Sequence, residues 1–408
     1  MIDILFVSTA YDPDLLGGAE FSLRELAREL LEKGFSVHVA CLGIETTTER
    51  IEGVVIHRYK SRAFKSLVSR RNRSILSRAM WQLADLSRIG EARFLLSLKR
   101  ELRPSIVHFN NISGFGWLAW WVFRKQPTVH TARDYSLLCT SATGVHGNEI
   151  CLGSRWLCRA LKSVYKIPRV QPSVVIGVSR FVGDTLADRS VTGRSLPNSF
   201  VYNRPSSLSP EMSDKATHAS GAGVRFGFMG RVSRDKGVEV IVEAFAQLVR
   251  TGGLPETAQL IIAGSGEPDF IRSIEMRTTD LAARSQIQFT GQLNVADYLA
   301  TIDVALVPTQ WPEPFGRVVA EALQNSVPVI YSEVGGIPEV AERFGTRSRG
   351  IKEFNNPREW SLAMMDAQGW RARDMQGHAC VKEPIANPTE EYLQIYKSLG
   401  FLDPSPRS

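Results

Sequence analysis

Short apolar runs alternate along the chain with longer stretches in which apolar residues recur every three or four positions. The first run, residues 2–7, predicts a buried β-strand. After a Gly-rich turn, Leu23, Leu26 and Leu30 follow the spacing of one helical face, and Gly34 is typical of a helix end. Strands that alternate with helices predict an α/β fold with a mostly parallel sheet covered on both faces.

The same pattern predicts further strands in both halves of the chain. They are residues 36–41, 105–109, 127–131 and 173–178 in the first half, and residues 224–229, 260–263, 287–289, 304–307 and 328–331 in the second. We therefore predict two Rossmann-like, doubly wound domains that face a central cleft, with ligands at the carboxyl ends of the strands.

The chain has 408 residues, which fits two domains of about 150–200 residues each. Residues 203–223 are rich in Ser, Pro, Ala and Gly and have no apolar period, which is typical of a linker. We predict an N-terminal domain over residues 1–202 and a C-terminal domain over residues 224–385. A C-terminal helix within residues 386–408 would cross back to the N-terminal domain.

Composition excludes two classes of protein. Hydrophobic residues make up 43% of the chain, so the chain is not globally disordered. Every apolar run falls short of the roughly 20 residues that a membrane-spanning helix needs. Residues 2–7 lack the basic start and cleavage site of a signal peptide. We therefore expect a cytoplasmic protein.

The net charge of +7 is unevenly distributed, because residues 58–103 hold 13 Lys and Arg against 3 acidic residues. Apolar residues such as Met80 and Trp81 are interleaved with these cations. A basic amphipathic helix of this kind can bind an anionic membrane surface, at the inner membrane face. The alternative is a solvated helix that packs on its own domain. Nucleic acid is not expected as a partner, because the segment has no aromatic-basic recognition motif.

Three of the five cysteines, Cys139, Cys151 and Cys158, fall within twenty residues, with His146 among them. Cysteine and histidine are zinc ligands, but the spacing contains no C-x2-C pair. An odd number of cysteines argues against a disulfide framework. We expect reduced thiols in a loop and no metal, and a metal at these cysteines is the alternative.

Residues 230–237 join a predicted strand to a predicted helix and contain two cations, Arg231 and Lys236. The N–H groups and the dipole at a helix start favour negative charge. Arg provides a fork of donors and Lys a point charge, and both suit phosphate oxygens. This turn predicts a diphosphate site.

A second motif contains two carboxylates, Glu313 in the turn after a predicted strand and Glu321 in the next helix. We expect Glu321 two turns into that helix, where its carboxylate can accept both hydroxyls of a ribose. Glu313 can accept sugar hydroxyls. The amides of Phe315, Gly316 and Arg317 lie at the predicted helix start and can reach an anion.

Together these motifs resemble the retaining GT-B glycosyltransferases of family 4. The matching segments occur in the family's order and extend over nearly the whole chain. They are residues 17–20 (GGAE), 178–181 (VSRF), 196–198 (LPN), 230–237, 263–266 (AGSG), 289–291 (FTG), 313–321 and 335–339 (GGIPE).

The resemblance implies that Arg231 and Lys236 bind the diphosphate of a UDP-sugar or GDP-sugar donor, in place of a metal cofactor. Gly17 and Gly18 would approach the phosphates or the sugar from the N-terminal domain. The acceptor would be a hydroxyl of a glycan or of a lipid-linked glycan.

The resemblance also implies that Glu321 binds the ribose and that Glu313 faces the transferred sugar. Phe315, Gly316 and Arg317 would contact the sugar or phosphate through their backbone. Residues implied near the base are Gly264, Gly291, Gln292 and Leu293.

One departure falls at the implied catalytic position. The family usually has Thr-x-His after the fourth strand of the N-terminal domain, and that histidine approaches the transferred sugar. Here Arg133 occupies its place and His130 lies three residues earlier. Arginine can bind phosphate or a sugar hydroxyl, but it cannot act as a base near neutral pH. We favour Arg133 at the site and keep His130 as the alternative catalytic residue.

Two other functions stay open at this point. One is a nucleotide-sugar epimerase or phosphorylase on the same fold, and the other is a non-catalytic sugar-nucleotide binding protein. A nicotinamide-dependent dehydrogenase is disfavoured, because Gly17-Gly18 is not part of a G-x-G-x-x-G turn.

Overall fold

The computed structural model describes residues 3–14, 17–62, 64, 88–146, 149–191, 193, 199–205, 223–279, 283–344, 347–370 and 387–401. The chain divides into two compact units. The first comprises Met1–Arg204 with Ala386–Ser408, and the second comprises Pro205–Ile385.

Strands of the first unit alternate with helices along the chain. They are β1 (Ile4–Ser8), β2 (Val37–Gly43), β3 (Thr47–Ile51), β4 (Val54–Lys60), β5 (Ile106–Asn111), β6 (Thr128–Ala132), β7 (Val145–His146), β8 (Glu149–Ile150), β9 (Val174–Gly177) and β10 (Ser199–Phe200). Among the described residues, eight strands form one sheet in the order β10-β9-β6-β5-β1-β2-β4-β3, and β7 and β8 form a separate hairpin. In the large sheet only β3 is antiparallel to its neighbour.

The second unit is built on a parallel sheet. Its strands are β11 (Arg225–Met229), β12 (Gln259–Ala263), β13 (Ile287–Gly291), β14 (Val304–Val307), β15 (Val329–Ser332) and β16 (Ser348–Ile351). Their order in the described part of the unit is β13-β12-β11-β14-β15-β16. The strand order reverses between β11 and β14, and the loops after these strands border the crevice where such sheets bind ligands.

Helices connect the strands in both units. Those in the first unit are α1 (Gly18–Glu32), α2 (Ile89–Leu102), α3 (Leu118–Phe123), α4 (Trp156–Leu161) and α5 (Arg180–Asp188). Those in the second unit are α6 (Val238–Arg250), α7 (Pro268–Thr279), α8 (Val295–Thr301), α9 (Arg317–Gln324), α10 (Ile337–Phe344) and α11 (Pro357–Asp366). A final helix, α12 (Pro388–Ser398), belongs to the first unit.

Two buried tyrosines attach α12 to the sheet of the first unit. Tyr396 Oη lies 2.5 Å from His108 Nδ1 on β5, and Tyr392 Oη lies 3.0 Å from Thr131 Oγ1 on β6. Both rings also belong to the apolar core around β1 and α1. Buried hydroxyls with partners avoid the cost of unpaired polar groups, so this helix is an integral part of the first unit.

The predicted fold class is confirmed, and each predicted strand appears within two residues of its expected bounds. The sequence pattern did not predict β3, β4, β7, β8, β10 or β16. β3 has almost fully exposed side chains. Its position in the sheet therefore depends on hydrogen bonds to β4 and not on an apolar pattern.

The ends of the segment 58–103 lie in a strand and in a separate helix, and its centre lies outside the described residues. The segment begins inside β4 and ends just after α2. Arg58 is only 7% exposed and forms ion pairs with Glu49 and Asp14, so its positive charge is paired within the first unit. Residues 65–87, with Met80 and Trp81, lie outside the described residues. In the part of the chain that is described, no helix is long and apolar enough to span a bilayer.

Candidate active site

Arg133 lies at the carboxyl end of β6 and connects three parts of the first unit. Its Nε donates to Asn110 Oδ1 at 2.6 Å, and Asn110 Nδ2 donates to the carbonyl of Ala19 in α1 at 3.3 Å. Its Nη1 donates to Asn203 Oδ1. These bonds fix the guanidinium plane next to the start of α1.

The start of α1 suits an anion. Gly17 precedes the helix, no side chain of the described residues caps it, and Gly18 is exposed. Glu20 is buried in the same turn. Burial raises the pKa of its carboxyl, while backbone hydrogen bonds and the positive charge of Arg133 oppose the rise. Arg133 and the helix dipole therefore both place positive potential at this edge of the sheet.

His130 lies inside the core, not at the strand end. It is 3% exposed, and its Nδ1 accepts a hydrogen bond from Trp120 Nε1 at 3.2 Å. Its ring also stacks on Phe109. This environment gives His130 a structural role, and we do not include it in the proposed catalytic group.

Burial lowers the pKa of His130 to about 3. The unfolded chain, with a pKa near 6.5 for this group, binds the proton first as the pH falls. The contribution of His130 to stability is therefore fully present above about pH 6.5 and is lost as the pH falls toward 3. From pH 7 to pH 5 we expect His130 to lower the free energy of unfolding by about 2 kcal/mol.

The variant His130→Gln tests this prediction, since an amide oxygen can accept from Trp120 without titrating. Urea unfolding of the first unit at both pH values should show the gap between wild type and variant shrinking on acidification. Equal gaps at both pH values would show that His130 titrates normally.

In the second unit, the loops after β11 and β14 place a cation against a carboxylate. Lys236 Nζ lies 2.5 Å from Glu313 Oε2, and both side chains are largely buried. Arg231 Nη2 contacts Asp235 Oδ2 at 3.0 Å on the same loop as Lys236. Burial would raise the pKa of Asp235, but Arg231 and Ser233 outweigh it and lower the pKa.

Glu321 points from α9 and is 4% exposed, with Arg317 Nη2 at 3.1 Å from its Oε1. The helix begins at Arg317, so Glu321 lies one turn into it and not two. The reason is Gly316, whose φ of 84° keeps it outside the helix. No side chain caps this helix start. The Phe315 side chain packs on Phe344 in the core.

The residues expected near the base lie together. Gly264 N donates to Gly291 O at 2.7 Å, and Gln292 Nε2 donates to Ser265 Oγ at 3.2 Å. Leu293 follows directly and is partly buried. The ends of β12 and β13 thus form one polar edge beside the loop after β11.

Gly237, which precedes α6, is required by its surroundings. Its φ is 71°, and a Cβ there would lie 1.9 Å from the carbonyl oxygen of Pro308. Gly252 has nearly the same φ, 69°, but open space around it. Comparing the two glycines therefore separates the cost of the left-handed backbone from the cost of the close contact with Pro308.

We predict that Gly252→Ala costs about 1 kcal/mol of stability, from its left-handed backbone alone. Gly237→Ala should cost about 2–5 kcal/mol, because overpacking is added. Urea denaturation of the second unit measures both. Equal costs would mean that the loop after β14 moves aside freely.

Sequence reasoning missed Asn110, Asn203, Glu20 and Asp235. Asn110 could have been found, since it is a polar residue at the end of a predicted strand. Asn203 lies where the sequence predicted a linker, and no local pattern indicates its contact with Arg133.

The described residues also contain one group of potential metal ligands, formed by Cys139, His146, Cys151 and Cys158. It lies in the segment between β6 and β9, after Arg133.

Comparisons with known proteins agree with this architecture. Residues 16–195 match the family model described as Glycosyltransferase Family 4, and residues 214–367 match Glycosyl transferases group 1.

Three similar proteins span most of the chain. An uncharacterized 42.6 kDa protein in the cps region of Klebsiella pneumoniae is 30% identical, over 83% of this chain and 87% of its own. The glycogen synthase of Mycobacterium tuberculosis is 26% identical, over 82% of this chain and 79% of its own. The crystal structure of Anabaena HepE with UDP and glucose has a TM-score of 0.64 at 20% identity, and covers 98% of this chain and 100% of its own.

The two family matches lie on the two units, and the long alignment with the Klebsiella protein runs across both. The chain therefore belongs to the glycosyl transferases of group 1 and is a glycosyltransferase with the GT-B fold.

Proposed function

We propose that the protein transfers a sugar from a UDP-sugar or GDP-sugar to a hydroxyl of a glycan or lipid-linked acceptor, with retention at the anomeric carbon. The pairing of Lys236 with Glu313 at 2.5 Å carries this proposal. In a nucleotide sugar the second phosphate is bonded directly to the sugar. Lys236 can bind the phosphate oxygens and Glu313 the sugar hydroxyls. Because the two side chains are adjacent, they match a phosphate that is bonded directly to a sugar.

Three further features of the second unit support a nucleoside diphosphate. Arg231 adds a second cation on the same loop as Lys236. The starts of α6 and α9 follow glycines and have no side-chain cap, so their amides favour phosphate. The buried carboxylate of Glu321 is held by Arg317, and it can accept both ribose hydroxyls.

The chemical step is a substitution at the anomeric carbon. The bond to the donor phosphate breaks, the acceptor oxygen bonds to the same face of the sugar, and the departing phosphate takes the acceptor's proton. Negative charge develops on the diphosphate, and fixed cations and amides stabilise it in the transition state. No divalent metal is required in this scheme, because Arg231 and Lys236 supply the positive charge.

Arg133 is proposed to contact the transferred sugar or its phosphate from the first unit, together with the amides of Gly17 and Gly18. Its guanidinium has five donors and no acceptor. It therefore contributes positive charge and hydrogen bonds, and it does not remove a proton.

Two relatives support a glycan acceptor, since one is a glycogen synthase and another lies in a cps region. Cell-surface polysaccharide or glycolipid synthesis is the corresponding role, at the inner membrane face if residues 58–103 bind anionic lipid. Retention by vesicles of acidic lipid at low salt would test that part. Full recovery of the protein in the unbound fraction would rule out this association with the membrane.

Product analysis tests the reaction itself. The protein is incubated with a panel of nucleotide sugars and glycan acceptors, and the products are identified by mass spectrometry and NMR. A new glycoside with the donor's anomeric configuration, plus free nucleoside diphosphate, supports the proposal. A glycoside with the opposite anomeric configuration would rule out a retaining mechanism. An isomerised donor indicates an epimerase, and a sugar phosphate formed from inorganic phosphate indicates a phosphorylase.

A further inference from the structure

Three sulfurs and one imidazole nitrogen converge in the segment between β6 and β9. The ligand atoms of Cys139, His146, Cys151 and Cys158 all lie within 4.8 Å of one another. His146 Nε2 is 3.2 Å from Cys139 Sγ and 3.4 Å from Cys158 Sγ. Cys158 Sγ is 3.8 Å from Cys139 Sγ and 3.9 Å from Cys151 Sγ.

These separations resemble the edges of a tetrahedron around a zinc ion. With Zn–S bonds of about 2.3 Å and Zn–N bonds of about 2.0 Å, tetrahedral ligands lie about 3.8 Å apart for two sulfurs and about 3.5 Å apart for sulfur and nitrogen. We propose that Cys139, His146, Cys151 and Cys158 bind one Zn²⁺. Protein atoms fill all four positions, so the site is closed and structural.

The local backbone brings the four ligands together although their linear spacing contains no C-x2-C pair. Cys139 follows a turn in which its N–H donates to the carbonyl of Tyr135 at 2.7 Å. The β7–β8 hairpin pairs His146 with Glu149, and Cys151 follows β8 with its N–H donating to Gly144 O at 2.6 Å. Cys158 is the one buried residue of α4.

The chemistry of the group favours zinc over a disulfide or unliganded thiols. The nearest sulfurs are 3.8 Å apart, whereas a disulfide requires about 2.05 Å. Three cysteines and one histidine form one of the ligand sets of structural zinc sites. The hydroxyl of Ser141 lies 3.1 Å from Cys139 Sγ, and that of Thr140 lies 3.5 Å from Cys158 Sγ. Both can donate to a thiolate and so orient a metal ligand.

A metal would stabilise a segment that lies outside the large sheet. Between β6 and β9 no described residue joins the large sheet, and Trp156 at the start of α4 is 78% exposed. Ala142 and Leu152 have φ of 61° and 39°, and a left-handed residue other than glycine costs about 1–2 kcal/mol. Zinc coordination can offset such costs, because metal binding contributes directly to folding.

The site also adjoins the candidate catalytic residue. Arg133 and Tyr135 begin the same segment, and Tyr135 N donates to the carbonyl of Ala142 at 2.9 Å. The metal would therefore hold the turn that follows Arg133. It is a positioning site and does not touch the reacting atoms.

Metal analysis of the full chain, purified without chelator after expression with added zinc, tests the proposal without measuring turnover. We expect about one zinc per chain, and Cys158→Ser should lose it. Cys41→Ser should keep it, since Cys41 is buried on β2 outside the group. A wild-type chain without zinc, or with a disulfide between these cysteines, would overturn the proposal.

The pair His146→Gln and His146→Cys separates ligation from folding defects. Both remove the imidazole, but only cysteine can complete a four-thiolate zinc site. Zinc should be lost in the first variant and kept in the second, and zinc kept in both would contradict the assignment. Wild type reloaded with Co²⁺ should show the visible absorption of tetrahedral cobalt thiolate. A spectrum of octahedral cobalt without thiolate bands would also overturn it.

Discussion

Replacing Lys236 by alanine is expected to lower kcat by about 100- to 1000-fold, the range found when a preorganised charge-stabilising donor is removed. The ammonium of Lys236, in the loop after β11, is held 2.5 Å from Glu313, in the loop after β14. It therefore needs little rearrangement to meet charge that develops on the leaving diphosphate. Steady-state kinetics with the preferred donor measure the effect, and Arg231→Ala should act in the same direction.

Two controls separate phosphate binding from other causes. Arg272→Ala removes an exposed cation of the second unit that pairs with Asp269, three residues earlier, and should leave kcat unchanged. The double variant Lys236→Ala/Glu313→Gln removes the carboxylate charge that the single variant leaves unpaired. Recovery of activity in the double variant would mean that the unpaired Glu313 caused the loss, and the role of Lys236 would be refuted.

The second large effect is expected at Glu321. Glu321→Gln keeps the side-chain shape but replaces charge-assisted hydrogen bonds to the ribose by neutral ones. Hydrogen bonds to charged groups contribute about 1.5–3 kcal/mol, so the KM for the donor should rise about 10- to 100-fold. The change in kcat should be smaller, because the ribose is remote from the breaking bond.

A deoxyribose donor makes this prediction specific. Wild type should discriminate strongly against the 2′-deoxyribose analogue of its donor, and Glu321→Gln should lose most of that discrimination. Glu342→Gln, on the exposed side of α10, serves as the control and should behave as wild type. Equal discrimination by wild type and Glu321→Gln would place the ribose elsewhere.

The sequence predicted the fold well because apolar periodicity reports directly on buried strands and helix faces. Most strands with a continuous apolar run were found, as with β14 at Val304–Val307. β4 was missed although residues 54–56 at its start are apolar. The edge strand β3 was missed because its exposed side chains give no apolar signal.

Contacts between distant residues could not be predicted from local patterns. Lys236 and Glu313 are separated by 77 positions, and Arg133 and Asn203 by 70. Their pairing depends on which strands become neighbours. The cysteine group shows the same limit at short range, since the turn after Tyr135, the β7–β8 hairpin and α4 bring its members together.

The central claim is that the loops after β11 and β14 bind a nucleoside diphosphate through Arg231 and Lys236. Thermal unfolding of wild type and of the double variant Arg231→Ala/Lys236→Ala, each with UDP, GDP and their sugars, tests it most directly. Ligand at 100 times its Kd stabilises the folded state by about 2.7 kcal/mol. We predict a clear rise in Tm for wild type with one nucleotide series and little or no rise for the double variant. The same rise in both proteins, or none in wild type, would contradict the account.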